Sequence, residues 1–287
     1  MKYSGLYFIP APTNAPEAST TVLNALINNI ESKFDDAARQ NPWGLVHRLL
    51  RSVVSPSAPP SQQTPNLQHV LQLSYLSTSR TYCYIHPSPP TTQVAASVQV
   101  KNEPTSQAPT PLPQPAQSST TAGAEKGTII SIPVAQSDAH MALLVNQLSS
   151  LWAFRHAMSL QNGITYNIGQ FIINLGELKA SRQGTTSMSN ASTAGVAVCI
   201  STVADSEEDQ LDDSGYASLN GDADAEVEVD VSASQTAVRS LWDALKTGIE
   251  FGKTEPREYF MAPEVLKGEK QREAVVRMWC ELLRMRG

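Results

Sequence analysis

A change of hydrophobic period in mid-chain, between Ser137 and Gln183, limits the folds open to this sequence more than any other feature. Met141, Leu144, Val145, Leu148 and Leu151 recur at steps of three and four, the spacing of one helical stripe, and Ser137 stands where an N-cap belongs. From Trp152 the period becomes two. Trp152, Phe154, His156, Met158 and Leu160 alternate with Ala153, Arg155, Ala157, Ser159 and Gln161, as on a half-buried strand. Asn162-Gly163 follows, a pair that tolerates positive φ at both centres of a type I′ turn, so a hairpin is expected there. The return carries Ile164, Tyr166 and Ile168, then Phe171, Ile173 and Leu175 beyond Gly169. That glycine shifts the apolar parity by one residue and reads as a bulge. A helix feeding an antiparallel hairpin points away from parallel strands wound with crossover helices.

The flanks repeat the theme. Tyr3 to Pro10 is a short apolar strand, Asn14 and Glu17 have capping-box spacing, and Leu23, Leu26, Ile27, Ile30 and Phe34 form one helical face. Trp43 to Val54 reads as a strand. Leu67 to Tyr75 and Tyr82 to Ile85 form a second hairpin around Thr78-Ser79-Arg80, after a Pro/Ser loop from Ser55 to Pro65. Strands are also expected at Gly127 to Ile132, Gly195 to Val203 and Arg257 to Ala262. Helical stripes run through Val238, Leu241, Trp242, Leu245 and Ile249, and through Val275, Trp279, Leu282 and Leu283. Short hairpin-linked strands with helices between them predict an α+β fold: one antiparallel β-barrel flanked by α-helices, spanning 1–287 as a single domain.

Two inserts interrupt it. Residues 88–126 hold seven of the nineteen prolines among Ser, Thr and Gln, and 204–235 are strongly acidic; both are expected to be disordered. Eleven acidic residues lie between Asp205 and Asp230, with no Lys or Arg from Gln183 to Val238. Without that tract the chain of net charge −6 holds 21 basic against 16 acidic residues, a mildly basic remainder. Neither balance suits a general nucleic-acid surface, and no strand interleaves aromatic with basic residues.

Chemistry is sparse. Cys83, Cys199 and Cys280 are far apart, odd in number and without ligand spacing, which suits buried thiols of an intracellular protein. The N-terminal apolar run is short for a secretion signal, and no stretch approaches a membrane span. His47, His69, His86, His140 and His156 are isolated in sequence, so no metal set, catalytic residue or cofactor residue is assigned. Thr247 to Thr254 has Thr where a phosphate loop needs its first glycine, so Gly248 and Gly252 read as helix terminators. One alternating set carries a sharper alternative. Glu226, Glu228 and Asp230 would share one strand face, as in metal-dependent triphosphate-tunnel phosphohydrolases, although the inward Lys and Arg that such a tunnel needs are missing. The bland reading is a solvated acidic loop or a charged edge strand. Lys267, Lys270, Arg272, Arg277, Arg284 and Arg286 make the last helix the expected polar face toward a partner.

Leu151-Trp152, Phe154-Arg155, Gly163, the Tyr166 strand and Phe171-Ile172 with Asn174-Leu175-Gly176-Glu177-Leu178 together resemble subunit 20 of the transcriptional Mediator complex, in the form of filamentous fungi. The resemblance extends to the N-terminal strand and helix and to Val238–Leu283. It implies a barrel flanked by helices and a non-catalytic nuclear subunit of the Mediator head, a coactivator for RNA polymerase II. It also implies pairing with subunit 18, tethering through subunit 8, contacts with other head subunits and TATA-binding protein as a further contact. No cofactor is implied, and the interface residues stay unassigned.

Overall fold

The computed structural model describes residues 3–12, 17–54, 65–86, 127–182, 192–202, 231–252, 254–262 and 268–284. The strands are β1 (Ser4–Pro10), β2 (Ala38–Arg39), β3 (Trp43–Ser52), β4 (Leu67–Leu73), β5 (Arg80–His86), β6 (Thr128–Pro133), β7 (Trp152–Ile168), β8 (Phe171–Arg182), β9 (Ser192–Thr202) and β10 (Arg257–Phe260). The helices are α1 (Glu17–Lys33), α2 (Ser137–Ala142), α3 (Val231–Lys246) and α4 (Gly268–Arg284). All ladders are antiparallel, in the order β10-β1-β9-β8-β7-β3-β4-β5-β6, with β2 also on β7. Among the described residues no register joins β6 to β10, so the ladder stays open where a barrel would close.

The hairpin expected at Asn162-Gly163 is not there. β7 runs straight through it for 17 residues, and the chain reverses at Gly169, whose φ is +50°. Asn162, at φ 55°, is instead the extra residue of a bulge: both the β3–β7 and the β7–β8 registers slip by one there. Asn-Gly and the lone glycine thus exchange the roles that pattern assigned them, since a turn and a bulge can both use positive φ. Gly163 is required for a different reason. A Cβ there would sit 2.4 Å from the Trp43 indole nitrogen. The bulge also flips the strand's faces. Before it, His156 meets α4; after it, the Tyr166 hydroxyl donates to Glu31 on α1 (2.5 Å).

α1 and α3 cover one half of the outer face, against β1, β8 and β9. Tyr7 stacks on Trp242 with ring centroids 4.3 Å apart. Lys33 Nζ donates to the carbonyls of Ala244 (3.1 Å) and Thr247 (3.0 Å), and Asn29 Nδ2 to that of Leu245 (2.9 Å), so α1 satisfies the open carbonyls at the end of α3. Gly248 then leaves the helix at φ +84°, as a terminating glycine should. α3 begins at Val231, inside the stretch assigned to the acidic insert.

Among the described residues, the other half of the outer face carries only the segment from Val134 to Gln147: a 3-10 turn, α2 and a π turn. Met141 and Leu144 pack there on Leu50, Val70 and Cys83. Ser137 lies inside α2, and no side chain caps that helix. The short helical run follows from the sequence, whose stripe must bend off the sheet to enter β7 within a few residues.

Candidate functional site

The inner face of the sheet is filled by α4. This helix touches β4 and β5 at one end of the sheet and β1 and β10 at the other, so the strands curl around it. From Ala274 to Leu283 it is apolar on nearly every side, and Val276, Trp279 and Leu283 are fully buried. The expected basic polar face is confined to the first turns of α4, where Lys270 is exposed and Arg272 lies 3.6 Å from Glu269. Its arginines pair with neighbouring carboxylates on the same helix, Arg277 with Glu273 (3.3 Å) and Arg284 with Glu281 (2.9 Å). Lys267 and Arg286 lie outside the described residues.

Trp279 anchors the helix. Its indole N–H donates to the Tyr75 hydroxyl (2.6 Å), which donates to Cys199 Sγ (3.7 Å), and its ring lies 5.8 Å from that of Trp43. Burial pushes the Tyr75 hydroxyl and the Cys280 thiol well up from their ordinary ranges and Cys199 to about 11, so these groups are neutral donors and acceptors rather than nucleophiles.

Four histidines that sequence separates are gathered on this face. His47 Nε2 and His69 Nδ1 are 3.0 Å apart, the His156 ring lies 6.0 Å from that of His47, and His69 packs on Tyr84, which packs on His86. The short His47–His69 contact requires one bare nitrogen and one N–H, so the pair cannot be doubly protonated without two N–H groups facing each other. Burial, then the neighbouring rings, holds His47 well below the usual imidazole range. Burial, then His86 and Arg284, lowers His69 to about 3. His156 Nε2 donates to the last-turn carbonyl of Leu283 (3.3 Å), and His86 Nε2 bonds Glu281 (2.9 Å), so two histidines bind α4 directly. Cross-strand register brings them together: His47 and His69 lie on the adjacent strands β3 and β4, and His156 pairs opposite Leu49 on β3. Among the described residues, no set of three or more His, Cys, Asp or Glu could hold a metal.

At the N-terminal end of α4 the curl opens into a cleft of about 620 Å³. Trp43, Tyr75, Ile172 and Val275 form its apolar wall, and Ser4, Thr165, Asn174 and Ser201 lie along its floor. The acidic alternation Glu226, Glu228 and Asp230 lies outside the described residues, as do the proline-rich tract 88–126 and most of 204–235. The described interior that such a tunnel would need is occupied by a helix, not lined by lysines and arginines.

The family model describing the TATA-binding related factor of subunit 20 of the Mediator complex matches residues 1–211. The chain belongs to the Mediator subunit 20 family. That family is a structural part of Mediator, so this chain is a scaffold subunit in transcription regulation and not an enzyme. Residues beyond 211, including α3 and α4, fall outside the matched span. No curated protein matches the chain. Among solved structures, PH1819 protein from Pyrococcus horikoshii OT3 is 10% identical with a TM-score of 0.33, covering 89% of this chain and 93% of the other. The Schizosaccharomyces pombe Mediator head module is 9% identical with a TM-score of 0.28, covering 86% and 92%. Neither superposition is close enough to define the fold or a function.

Proposed function

We propose that this subunit acts in the nucleus, in the Mediator head, by pairing with subunit 18 and being tethered through subunit 8. In this reading it presents a rigid, helix-filled and nearly closed barrel to its neighbours, with TATA-binding protein as a further contact. The observation that carries it is the half of the outer face that the described residues cover only in part. Val46, Ile85 and Ile130 are 42%, 38% and 51% exposed on three strands, and Ile130 sits on β6, an edge strand whose outer side has no partner among the described residues. Apolar side chains beside a free edge suit a protein-protein contact. The curl of the sheet around α4 supports the barrel, since one helix reaches both ends of the open ladder.

Co-expression with subunit 18 followed by size-exclusion chromatography tests the pairing: one co-eluting peak of both chains is expected. Separate peaks at micromolar concentration would refute it. The rival phosphohydrolase reading has lost its support, because the family is structural and the described interior is filled by α4.

A further inference from the structure

On the partly covered half of the outer face, strand register gathers a polar set that the fold does not use up. Val46 and Arg48 on β3 pair opposite Gln72 and Val70 on β4, and Thr81 on β5 shares this face with Cys83. Val134, Ser137 and Asp138 come down on them from the segment that crosses the face. Together these residues line a cavity of about 220 Å³.

Two of its groups are left open to a ligand. Thr81 is 1% exposed, and its hydroxyl has no hydrogen-bond partner among the described residues. A hydroxyl taken out of water and left unbonded is costly, so it marks a position that a bound group can satisfy. Arg48 is the other. Asp138 takes its Nη2 at 2.8 Å, yet a guanidinium carries five N–H groups, so one carboxylate leaves most of the fork free.

The lining selects the chemistry of the ligand. A guanidinium edge and a hydroxyl can both donate to an ionised carboxylate, which only accepts. The rim already shows that pairing, since Asp138, with its side chain 87% exposed, reaches Arg48 from the solvent side. Val46, Val70 and Val134 form the apolar wall, which suits a short aliphatic stem behind the charged head and not a bare inorganic anion. No aromatic side chain lines the cavity, so a nucleotide base would find nothing to stack on. A second cation stands on the same face. Lys179 on β8 is exposed and pairs opposite Ser159, which pairs opposite Val46, two strand spacings or about 10 Å away.

We propose that this cavity binds a carboxylate side chain, glutamate or aspartate, of a neighbouring protein. The head accepts from the free edge of Arg48 and from Thr81 Oγ1, and the stem lies against Val46 and Val70. The site lies apart from the free edge of β6 and requires no particular subunit, so failure of the pairing with subunit 18 would leave it standing.

The full chain, labelled with ¹⁵N, is titrated at constant ionic strength with four probes: N-acetyl-glutamate N-methylamide, its glutamine counterpart, acetate and inorganic phosphate. The Arg48 Nε–H signal, identified by its absence in Arg48→Lys, is expected to move saturably with the glutamate probe. Each of the other three should need at least tenfold more for half-saturation. Thr81→Val keeps the shape and removes only the unbonded hydroxyl, so it should weaken the glutamate probe at least threefold without lowering the thermal midpoint. Asp138→Asn removes the competing carboxylate and should tighten the probe at least threefold. A signal that does not saturate, a Thr81→Val chain that binds as the parent does, or an Asp138→Asn chain that binds no better overturns the pocket. Equal binding of the glutamine probe overturns the carboxylate, and equal binding of acetate or phosphate overturns an acidic side chain as its source. If Thr81→Val does not fold, Asp138→Asn at the exposed rim decides the matter alone.

Discussion

Among the described residues, the outer face of the sheet is sealed on one half and only partly covered on the other. Over β1, β8 and β9, two helices of 17 and 16 residues seal the strands, and Trp242, Leu245, Leu26 and Ile30 vanish from solvent. Over β3 to β6 a six-residue helix and a π turn cover only a patch around Leu50, Val70 and Cys83, and large apolar side chains stay in water on either side. Both halves share one interior, because α4 touches each. A scaffold subunit needs that asymmetry: a half that holds the fold and a half that another chain completes. The difference makes four predictions of decreasing size.

The largest concerns the residue on which both halves depend. Trp279→Ala empties the centre of the curl and takes the indole donor away from the Tyr75 hydroxyl, with an expected loss of about 3–5 kcal/mol in unfolding free energy. Urea unfolding followed by circular dichroism measures it. A loss below about 1 kcal/mol would mean that α4 is an accessory and that each half folds without it.

Acidification comes next and strikes the partly covered half from inside. His69 is held near 3 in the fold and returns to about 6.5 when the chain unfolds, so the unfolded chain binds the extra proton. Its contribution is fully present above pH 6.5 and is lost as pH falls toward 3. At pH 5 the loss is about 2 kcal/mol from His69 alone, and His47, shifted in the same direction, adds to it. Denaturation midpoints measured from pH 8 to pH 4 should fall along this course, and His69→Gln should flatten it. A flat profile in the parent chain would place the titrating pair outside the core.

Third, Leu144→Ala removes packing from the small outer cluster and should cost about 2–3 kcal/mol, at the low end for a buried leucine because the cluster has few members and can relax. If the loss equals that of Trp279→Ala, the outer cluster is as essential as the interior and the two halves are not unequal.

How far the sequence reveals this division depends on the kind of signal. Alternation in Leu67–Leu73 and Arg80–His86, and the stripe through Leu26 and Ile30, become the expected hairpin and helix, since period alone decides them. Asn162-Gly163 does not become a turn, because β3 continues to pair with β7 on both sides of it and Trp43 lies over Gly163. That competition is tertiary and leaves no local mark. α4 misleads for another reason: its charges pair with one another along one narrow side, while Ala274, Val276, Met278 and Cys280 widen the apolar stripe over most of the helix. The histidines are isolated as a list of positions, yet strand register would place His47 beside His69. The cleft has no sequence signal, since its lining comes from seven separate segments.

The smallest effect on stability carries the most about function. Ile130 is half in solvent on β6, whose far edge carries no strand among the described residues. Ile130→Lys removes no buried contact, so the unfolding free energy should change by less than about 0.5 kcal/mol. A lysine on an edge strand is also the substitution that discourages another chain from laying against it. The same variant should therefore lose most of the co-elution with subunit 18 that the parent chain is expected to show. Leu151→Lys, equally exposed at the opposite end of this face, should leave co-elution intact, which separates an effect of place from an effect of charge. Retention by both variants would move the partner to the sealed half, where only the outward sides of α1 and α3 remain to meet it.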